Sequence, residues 1–450
     1  MSLTAGQTLK VLSTGGQCTV EHLLGEGGQG WVYQVSFMGR PFALKWYNDR
    51  VLQYDKRLRA RLQTAIDHGP PSARFLWPFS LVTLADGSRL GYLMPLRDPR
   101  LKEVSTILGA QKTANGLEER IAPSFRVLAT ICCLVAQELL ALHAKGLAYQ
   151  DLNAGNLFFD PQRGQIAVCD NDNVDIDGAP SVMGGVWEYQ APEIVLRQTG
   201  PTRVTDLHSL AVMLFRILHI GHPLVGQRAR VFRNLSDSAT VRSLFGTDPL
   251  FIFDPRDDSN RPDPDEFAVA YWALYPGFLK ELFTRAFTDG LRDPRHGRVQ
   301  ETEWRLAMAR LRDSIVTCSC TAENFYDRTR LAGGAKFSCW YCGAELSGSP
   351  PRIGILGAQE SSPRAPRHVV VLDPGASLLG YHCDGGQYNV DSVIASVEGQ
   401  PGQLALANAS RTEWSCRHKG DSVRVPPGSR LLLKDGMHIE FGATRGEVRM

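Results

Sequence analysis

The chain has 450 residues, of which 43% are hydrophobic and 21% charged, and its formal net charge is +2. This length suffices for two or three domains. The near-balance of charge gives no reason to expect nucleic acid or an anionic membrane as a partner. The most apolar stretch, 126–143, is interrupted by Gln137 and Glu138, which favours a buried helix over a membrane span. The sequence does not open on a charged-then-apolar leader, so we expect a cytoplasmic protein.

The first predicted region, residues 16–97, alternates short apolar runs with turn residues. This pattern predicts an antiparallel sheet, interrupted by a helical stretch near Asp55–His68. From about 118 to 312 the apolar residues follow helical spacing, as in the run from Leu207 to Leu218. A sheet-rich lobe followed by a helical lobe indicates an α+β fold with a cleft between the lobes, where ligands commonly bind.

A glycine-rich segment lies early in the first region. Gly25, Gly27, Gly28 and Gly30 come just before Val32, and such glycines let a hairpin backbone approach phosphates closely. Taken alone, the segment fits a purely structural turn as well. Thirteen residues after Val32, Lys45 ends the apolar strand that begins at Phe42. Its apolar neighbours favour an amine that faces the cleft over a surface lysine.

Further polar residues appear in the second region at a suggestive spacing. Asp151 and Asn156 lie five residues apart, and Asp170 follows an apolar strand, with Asp172 two residues later. Mg²⁺ bound to a triphosphate prefers a few hard oxygen ligands, which Asn156 and Asp170 can supply. The glycine loop, strand lysine, D-x4-N pair and strand-terminal aspartate occur together in this order, and together they indicate handling of a nucleotide phosphate.

On these motifs residues 16–312 resemble the eukaryotic-like (Hanks-type) serine/threonine protein kinases of bacterial type. The segment ending in Ala191-Pro192-Glu193 is similar to the Ala-Pro-Glu of that family. Asp206 matches the aspartate that braces the catalytic loop, and Arg298 matches the late arginine that pairs with Glu193. The resemblance implies an N-lobe at 16–97 and a C-lobe at 98–312.

The resemblance also implies site roles. The glycine loop would cover the phosphates of ATP, and Lys45 would contact the α- and β-phosphates. Asp151 would accept or orient the proton of the substrate hydroxyl, while Asn156 and Asp170 would hold Mg²⁺ or Mn²⁺. Met94 would be the gatekeeper of the hinge, and the backbone of Pro95 and Arg97 would reach the adenine.

The chain departs from the family pattern at four places. No glutamate occurs between Lys45 and Glu103, so Gln63, Asp55 or Asp67 would have to partner the lysine. Tyr149-Gln150 replaces His-Arg before Asp151, which argues against activation by a loop phosphate such as one on Ser181. Asn153 replaces the catalytic-loop lysine, and Val186 replaces the threonine that bonds it. Asp-Phe-Gly becomes Asp170-Asn171-Asp172, which predicts a more static loop.

Four cysteines cluster between residues 313 and 347, namely Cys318, Cys320, Cys339 and Cys342. The C-x-C and C-x-x-C pairs are typical of zinc knuckles, in which thiolates occupy the corners of a tetrahedron. We therefore predict a structural zinc ribbon that binds Zn²⁺. Redox-active thiols for one pair and plain buried thiols for the other stay open as alternatives.

The last predicted domain, residues 352–450, resembles a forkhead-associated β-sandwich. The similarity rests on Leu378–His382, Asn408–Ser410 and 425–442. Tyr381 stands where that family carries its phosphate-reading arginine, so partner docking is the expected role. The whole arrangement is also similar to bacterial kinases associated with a metal-dependent phosphatase and a von Willebrand A-type protein.

The resemblance implies a protein kinase that phosphorylates Ser/Thr hydroxyls with ATP and Mg²⁺. A nucleotide-binding pseudokinase scaffold is the alternative, and a small-molecule kinase is a further one. Lys45, Asp151, Asn156 and Asp170 are all present, and this favours an active enzyme.

Overall fold

The computed structural model describes residues 2–113, 116–179, 185–357, 366–383, 389–400 and 402–450. These residues divide into two compact units. One comprises Met1–Pro123, Leu134–Ala270 and Leu282–Arg305, and the other comprises Ser124–Cys133, Tyr271–Glu281 and Leu306–Met450. Ser181 lies outside the described residues.

The first unit begins with a closed sheet, in the strand order β1-β2-β3-β4-β6-β5. The sheet closes because β1 pairs with both β2 and β5. Its strands are β1 (Thr8–Val11), β2 (Gln17–Gly27), β3 (Gly30–Phe37), β4 (Arg40–Tyr47), β5 (Ser80–Thr83) and β6 (Gly91–Met94). Strand β1 precedes residue 16, so the sheet starts earlier in the chain than the sequence pattern predicts.

Helix α2 (Leu58–His68) occupies most of the stretch predicted to be helical, near Asp55–His68, and a shorter helix, α1 (Asp49–Tyr54), precedes it. The break falls at Asp55, whose side chain accepts a hydrogen bond from the backbone N–H of Arg57. Helix α2 ends at Gly69, where φ is +66°, a conformation that glycine adopts without steric cost. Its buried side includes Leu58, Arg61, Leu62 and Ala65.

The following residues are mainly helical, as the sequence predicts. The strands are short: β7 (Lys102–Glu103), β8 (Gln111–Thr113), β9 (Gly116–Glu118), β10 (Leu147–Ala148), β11 (Leu157–Phe159), β12 (Ile166–Val168) and β13 (Asp175–Ile176). The helices are α3 (Ser105–Leu108), α4 (Phe125–Ala144), α5 (Pro192–Val195), α6 (Arg203–His219), α7 (Ser238–Arg242), α8 (Phe267–Leu274), α9 (Gly277–Phe287), α10 (Asp289–Arg292) and α11 (Glu301–Asp313).

Helix α4 is the apolar stretch predicted to be buried. Within the described ranges it is the one helix with the length and hydropathy to cross a membrane. However, 72% of its most apolar window is buried inside the protein, and the core helices of globular proteins pass the same test of length and composition.

Helix α6 places Asp206 one turn from its start. Thr202 and Thr205 form a capping box, in which each side chain bonds the backbone of the other residue. Such reciprocal bonds satisfy two of the N–H groups that a helix start leaves without partners. The cap therefore fixes where the helix begins.

The second unit is rich in strands towards the C-terminus. A hairpin of β14 (Ile315–Thr317) and β15 (Glu323–Phe325) is followed by α12 (Arg328–Ala332). A six-stranded sheet has the order β17-β16-β25-β24-β21-β22, and a four-stranded sheet has the order β18-β19-β20-β23.

Both sheets contribute side chains to one hydrophobic cluster, which includes Ile353, Leu378, Leu406 and Trp414. The elements are β16 (Arg352–Gly357), β17 (His368–Val371), β18 (Ser377–Leu379), α13 (Gly380–Cys383), β19 (Val393–Gln400), β20 (Gln403–Asn408), β21 (Trp414–His418), β22 (Asp421–Val425), β23 (Arg430–Leu432), β24 (His438–Glu440) and β25 (Thr444–Arg449). The predicted boundaries at 312, 347 and 352 stay predictions.

Candidate functional site

Lys45 lies near the end of β4, and its side chain is only 6% exposed. Its ammonium nitrogen contacts three oxygens: Asp170 Oδ1 at 2.6 Å, Gln29 Oε1 at 2.7 Å and Asp172 Oδ2 at 2.8 Å. Three partners match the three donors of an ammonium group. Burial would lower the pKa of Lys45, but Asp172 and Asp170 outweigh it and raise the pKa above its ordinary value. The amine is therefore a fixed positive charge.

None of the three partners proposed from the sequence for Lys45 holds that place. Gln63 is exposed and donates to Asp67 Oδ1 at 2.8 Å. Asp55 accepts from Arg61 Nη2 at 2.7 Å. The acidic partners are instead Asp170 and Asp172, in the segment after β12. The sequence pattern did not assign Asp172 as a partner of the lysine.

The glycine loop is the hairpin between β2 and β3, with Gly27 opposite Gly30 in the register and Val32 opposite Lys45. Gly30 has φ +152°, and a Cβ there would lie 2.0 Å from Trp46 O, so this position tolerates only glycine. An added Cβ at Gly25, Gly27 or Gly28 would meet nothing within 4 Å. No steric clash therefore requires glycine at these three positions. Their effect is to keep this part of the hairpin free of side chains.

Asp151 lies in the loop after β10 and forms the centre of a hydrogen-bond network. Its Oδ1 accepts from Asn153 Nδ2 at 3.0 Å and from the backbone N–H of Val186 at 3.1 Å. Its Oδ2 accepts from Asn173 Nδ2 at 3.3 Å and from Asn156 Nδ2 at 3.4 Å. Burial raises the pKa of Asp151 above its ordinary value, although several of these hydrogen bonds oppose the shift. Asn173 is a member of the network that the sequence did not reveal.

Asp206 braces the start of the same loop. Its carboxylate accepts from the backbone N–H of Tyr149 at 2.6 Å and of Gln150 at 3.1 Å. Its Oδ2 also lies 3.2 Å from His143 Nε2, and His143 Nδ1 contacts Glu301. Burial alone would lower the pKa of His143, but the two carboxylates raise it. The brace expected from the sequence is therefore present, with a histidine behind it.

Asn153 and Asn156 both serve the loop around Asp151. Asn153 Nδ2 also donates to the main-chain oxygen of Asp151 at 3.0 Å, and its Oδ1 accepts from Gly155 N at 2.9 Å. Asn156 Nδ2 donates to the same main-chain oxygen at 2.9 Å. Because the amide nitrogen of Asn156 is used in this way, its amide oxygen is the atom available to a cation.

The Asp170-Asn171-Asp172 segment forms a tight turn. Asp170 adopts a left-handed conformation with φ 53°, and residues Asn171–Asn173 form one 3-10 turn. Asn171 is fully buried, and its Nδ2 donates to Leu76 O at 3.0 Å and Val168 O at 3.1 Å. These bonds tie the turn to its surroundings. The Asp170 side chain stays 38% exposed and so can reach a ligand.

The predicted hinge residues follow β6. Met94, the last residue of that strand, is buried and pairs with Ala43 in the register. Pro95 is exposed. Arg97 donates to Leu101 O at 2.7 Å and stacks on the Phe158 ring at 4.1 Å. The side chain of Arg97 is therefore engaged in packing, and only its backbone is a candidate for adenine recognition.

The predicted pair between Glu193 and Arg298 is present, with N–O distances of 2.7 and 2.8 Å. An open cleft of about 390 Å³ lies beside the loop that carries Asp151. Its lining includes Ser105, Asn153, Val186, Glu188 and Arg216. An acceptor hydroxyl that enters this cleft would come close to the Asp151 network.

The four clustered cysteines are brought together on two tight turns. The Sγ atoms of Cys318 and Cys342 lie 3.7 Å apart, as do those of Cys320 and Cys339. All four lie within 4.8 Å of one another. Tetrahedral Zn–S bonds of about 2.3 Å place neighbouring sulfurs about 3.8 Å apart, so the donor set fits zinc. Burial raises the pKa of Cys339, but hydrogen bonds, first those from backbone N–H groups, lower it overall to about 6.

Tyr381 is buried in the second unit. Its hydroxyl donates to Asp313, with O–O distances of 2.9 and 3.0 Å. Next to it, His382 Nδ1 accepts from Leu379 N at 2.9 Å, so Nε2 carries the proton that reaches Asp313 Oδ2 at 2.9 Å. The residue that stands in place of a phosphate-reading arginine is therefore committed to an internal carboxylate.

Comparison with known proteins finds matches to protein kinases. Residues 104–263 match the protein kinase domain family. Serine/threonine-protein kinase SCH9 of Candida albicans is 35% identical over 80 residues, covering 17% of this chain and 10% of that protein. Proto-oncogene serine/threonine-protein kinase mos of Rattus norvegicus is 27% identical over 233 residues, covering 49% of this chain and 68% of that protein.

A third relative, Protein kinase gsk3 of Schizosaccharomyces pombe, is 30% identical over 91 residues, covering 20% of this chain and 23% of that protein. The chain thus spans only a small part of several of these kinases. The matched region contains Asp151, Asn156 and Asp170 together with the Glu193 segment. On this geometry and these matches, the chain contains a protein kinase domain related to those of serine/threonine kinases.

Proposed function

We propose that the protein is a cytoplasmic kinase that transfers the γ-phosphate of ATP to Ser/Thr hydroxyls of a protein substrate, with Mg²⁺ or Mn²⁺. The observation that carries this proposal is the contact between Lys45 Nζ and Asp170 Oδ1 at 2.6 Å, which joins a strand of the first sheet to the turn after β12. This contact supports the proposal, because the amine that would bind the phosphates lies beside the carboxylate that would bind the metal.

Each predicted site residue has a role in the proposed reaction. The hairpin of Gly25, Gly27, Gly28 and Gly30 covers the phosphates, and Lys45 binds them. Asp151 orients the acceptor hydroxyl and takes its proton, which its raised pKa assists. Asp170 and Asn156 hold the metal, whose charge, when it is bound, offsets that of the phosphates.

Phosphate transfer by the purified full-length chain tests this function. We expect labelled γ-phosphate from ATP to appear on a generic protein substrate such as casein. Asp151→Asn should lower the rate roughly a hundredfold or more, in line with the usual worth of a general base. Asp67→Asn, an exposed carboxylate elsewhere, should match the natural chain.

A natural chain that binds Mg-ATP but transfers no phosphate would support the pseudokinase scaffold instead. Transfer to small molecules, with none to protein, would support the small-molecule kinase. Calorimetry separates these cases from a chain that binds no nucleotide. Asp170→Ala should weaken ATP binding in the presence of Mg²⁺ and have little effect in its absence.

We also propose that Cys318, Cys320, Cys339 and Cys342 hold one structural Zn²⁺, as their sulfur spacing supports. Elemental analysis should find about one zinc per chain. Cys339→Ser should lose that zinc, and the matched Cys416→Ser should retain it, since Cys416 lies apart in the C-terminal sheet. A zinc-free chain with four reactive thiols would contradict the site.

For residues 352–450 we propose a forkhead-associated-like docking module without phosphothreonine reading. Tyr381 is buried and donates its hydroxyl to Asp313, which supports this. A neutral side chain that is bound to an internal carboxylate offers no positive charge to an incoming phosphate. A metal-dependent phosphatase and a von Willebrand A-type protein are the partners we propose. A threonine peptide and its phosphorylated twin should bind the chain equally, and preference for the phosphorylated twin would contradict the proposal.

A further inference from the structure

Asp170 and Asp172 both contact Lys45, but their surroundings differ. The side chain of Asp170 is 38% exposed, whereas that of Asp172 is 2% exposed. Asp172 is thus the enclosed member of the pair, and Asp170 is the one that a ligand can reach.

Asp172 is held from two further directions. Tyr47 donates its hydroxyl proton to Asp172 Oδ2 at 2.5 Å. Tyr47 lies two residues after Lys45 on β4, and alternate residues of a strand face the same side, so one strand presents both donors to one carboxylate. From helix α2, Arg61 Nε donates to the main-chain oxygen of Asp172 at 2.7 Å.

The buried side of α2 carries a cation where an acid would be expected to meet Lys45. Arg61 is buried, and its charge is balanced by Asp55 at 2.7 Å. An arginine directly beside Lys45 would repel it, whereas Asp172 lies between them and binds both: Lys45 through its carboxylate and Arg61 through its main-chain oxygen. The helix therefore positions the lysine through Asp172 rather than through a carboxylate of its own.

We propose that Asp172 is the positioning residue for Lys45, and that it supplies the acidic partner for which no glutamate is available between residues 45 and 103. The inference rests on the proposed role of Lys45 at the phosphates of ATP. It adds that one turn, Asp170–Asp172, carries both the accessible metal-binding carboxylate and the enclosed lysine-binding one. The lysine and the metal ligand are therefore positioned together.

The first test measures the reactivity of the Lys45 amine in the absence of nucleotide. The full-length chain is labelled with acetic anhydride across a pH series, and the acetylation of Lys45 is followed by mass spectrometry. In Asp172→Asn the lysine loses one of its two carboxylates, so its pKa should fall. A fall of about one pKa unit gives about tenfold more unprotonated amine and faster labelling. Asp67→Asn, which removes an exposed carboxylate from α2, should label like the natural chain.

The second test uses ATP. Asp172→Asn should raise the KM for ATP roughly ten- to a hundredfold, the range for losing a hydrogen bond to a charged group, while Asp67→Asn leaves it unchanged. If Asp172→Asn does not fold, Tyr47→Phe takes its place, because it removes one donor to Asp172 and retains both charges. It should shift both readouts in the same direction by a smaller factor.

Equal labelling profiles and equal KM values in the natural chain and the variant would overturn the inference. A natural chain that neither binds nor uses ATP would instead overturn the proposed function. In that case the labelling test alone still decides whether Asp172 holds Lys45.

Discussion

Replacing Asn153 by lysine restores the residue common in related kinases, and we expect it to slow phosphate transfer. Asn153 makes three hydrogen bonds, two to Asp151 and one from Gly155 N. Losing a bond to a carboxylate costs about 1.5–3 kcal/mol, and losing a neutral one costs about 1 kcal/mol. With one bond of the first kind and two of the second, we expect the free energy of unfolding to fall by about 3.5–5 kcal/mol. An ammonium beside Asp151 would also lower the pKa of that carboxylate and weaken it as a base.

Adding Val186→Thr should recover part of the loss. Val186 already donates its backbone N–H to Asp151 Oδ1 at 3.1 Å, and Val186 and Asn153 border the same cleft. A hydroxyl at 186 would give the new ammonium a second acceptor and draw it away from Asp151. A coupling of about 0.5–3 kcal/mol between the two changes is typical of residues in one network.

The assay is a double-mutant cycle on the rate of phosphate transfer, with chemical denaturation run in parallel. Gln198→Lys, which adds the same charge at an exposed position, is the matched control and should change neither quantity. Additive effects of the two changes, within about 0.5 kcal/mol, would refute the reasoning. So would a large gain in rate from the lysine alone.

Three further outcomes follow from the geometry. His143→Ala should lower the melting temperature, and the gap between the natural chain and the variant should be largest below about pH 6.5 and shrink at higher pH. Two carboxylates raise the pKa of the folded histidine, so its stabilising proton is lost as the pH rises through that value. Thermal melts at pH 6 and pH 9 check this, and a gap that grows with pH would contradict it. Gly30→Ala should destabilise the chain far more than Gly28→Ala, since only the former meets backbone; equal unfolding midpoints would show that the hairpin relaxes. Ser181→Ala should leave transfer nearly unchanged in a steady-state assay, and a large loss accompanied by phosphate on Ser181 would reverse this.

The main features of the site could be predicted because each depends on local sequence. The hairpin glycines, the strand lysine, the D-x4-N loop and the strand-terminal aspartate are short patterns, and the turn, strand or loop that each requires is set by its neighbours. The brace by Asp206 and the pair of Glu193 with Arg298 depend on distant residues, and they could be predicted through the family resemblance.

The partner of Lys45 could not be predicted in this way. Spacing along the chain pointed to α2, but the exposed side of that helix carries Gln63, and its buried side carries Arg61. Which side is buried depends on packing against the turn at Asp172, more than a hundred residues away. The sequence did contain one signal, which is Asp172 itself. A second aspartate two residues after a predicted metal ligand needs a cation to balance its charge, and Lys45 was the cation already assigned to the cleft.

The contact of Tyr381 and His382 with Asp313 has a consequence for dissecting the chain. A fragment that stops before residue 352 keeps Asp313 but loses both of its donors, so a carboxylate that is 2% exposed would lack those hydrogen bonds. Arg312, 3.8 Å from that carboxylate, stays in the fragment, but each hydrogen bond lost to a charged group still costs about 1.5–3 kcal/mol. Loss of activity in such a fragment would therefore report unfolding at the end of α11 rather than the removal of a regulatory domain. A fragment that also carries Asp313→Asn would separate the two.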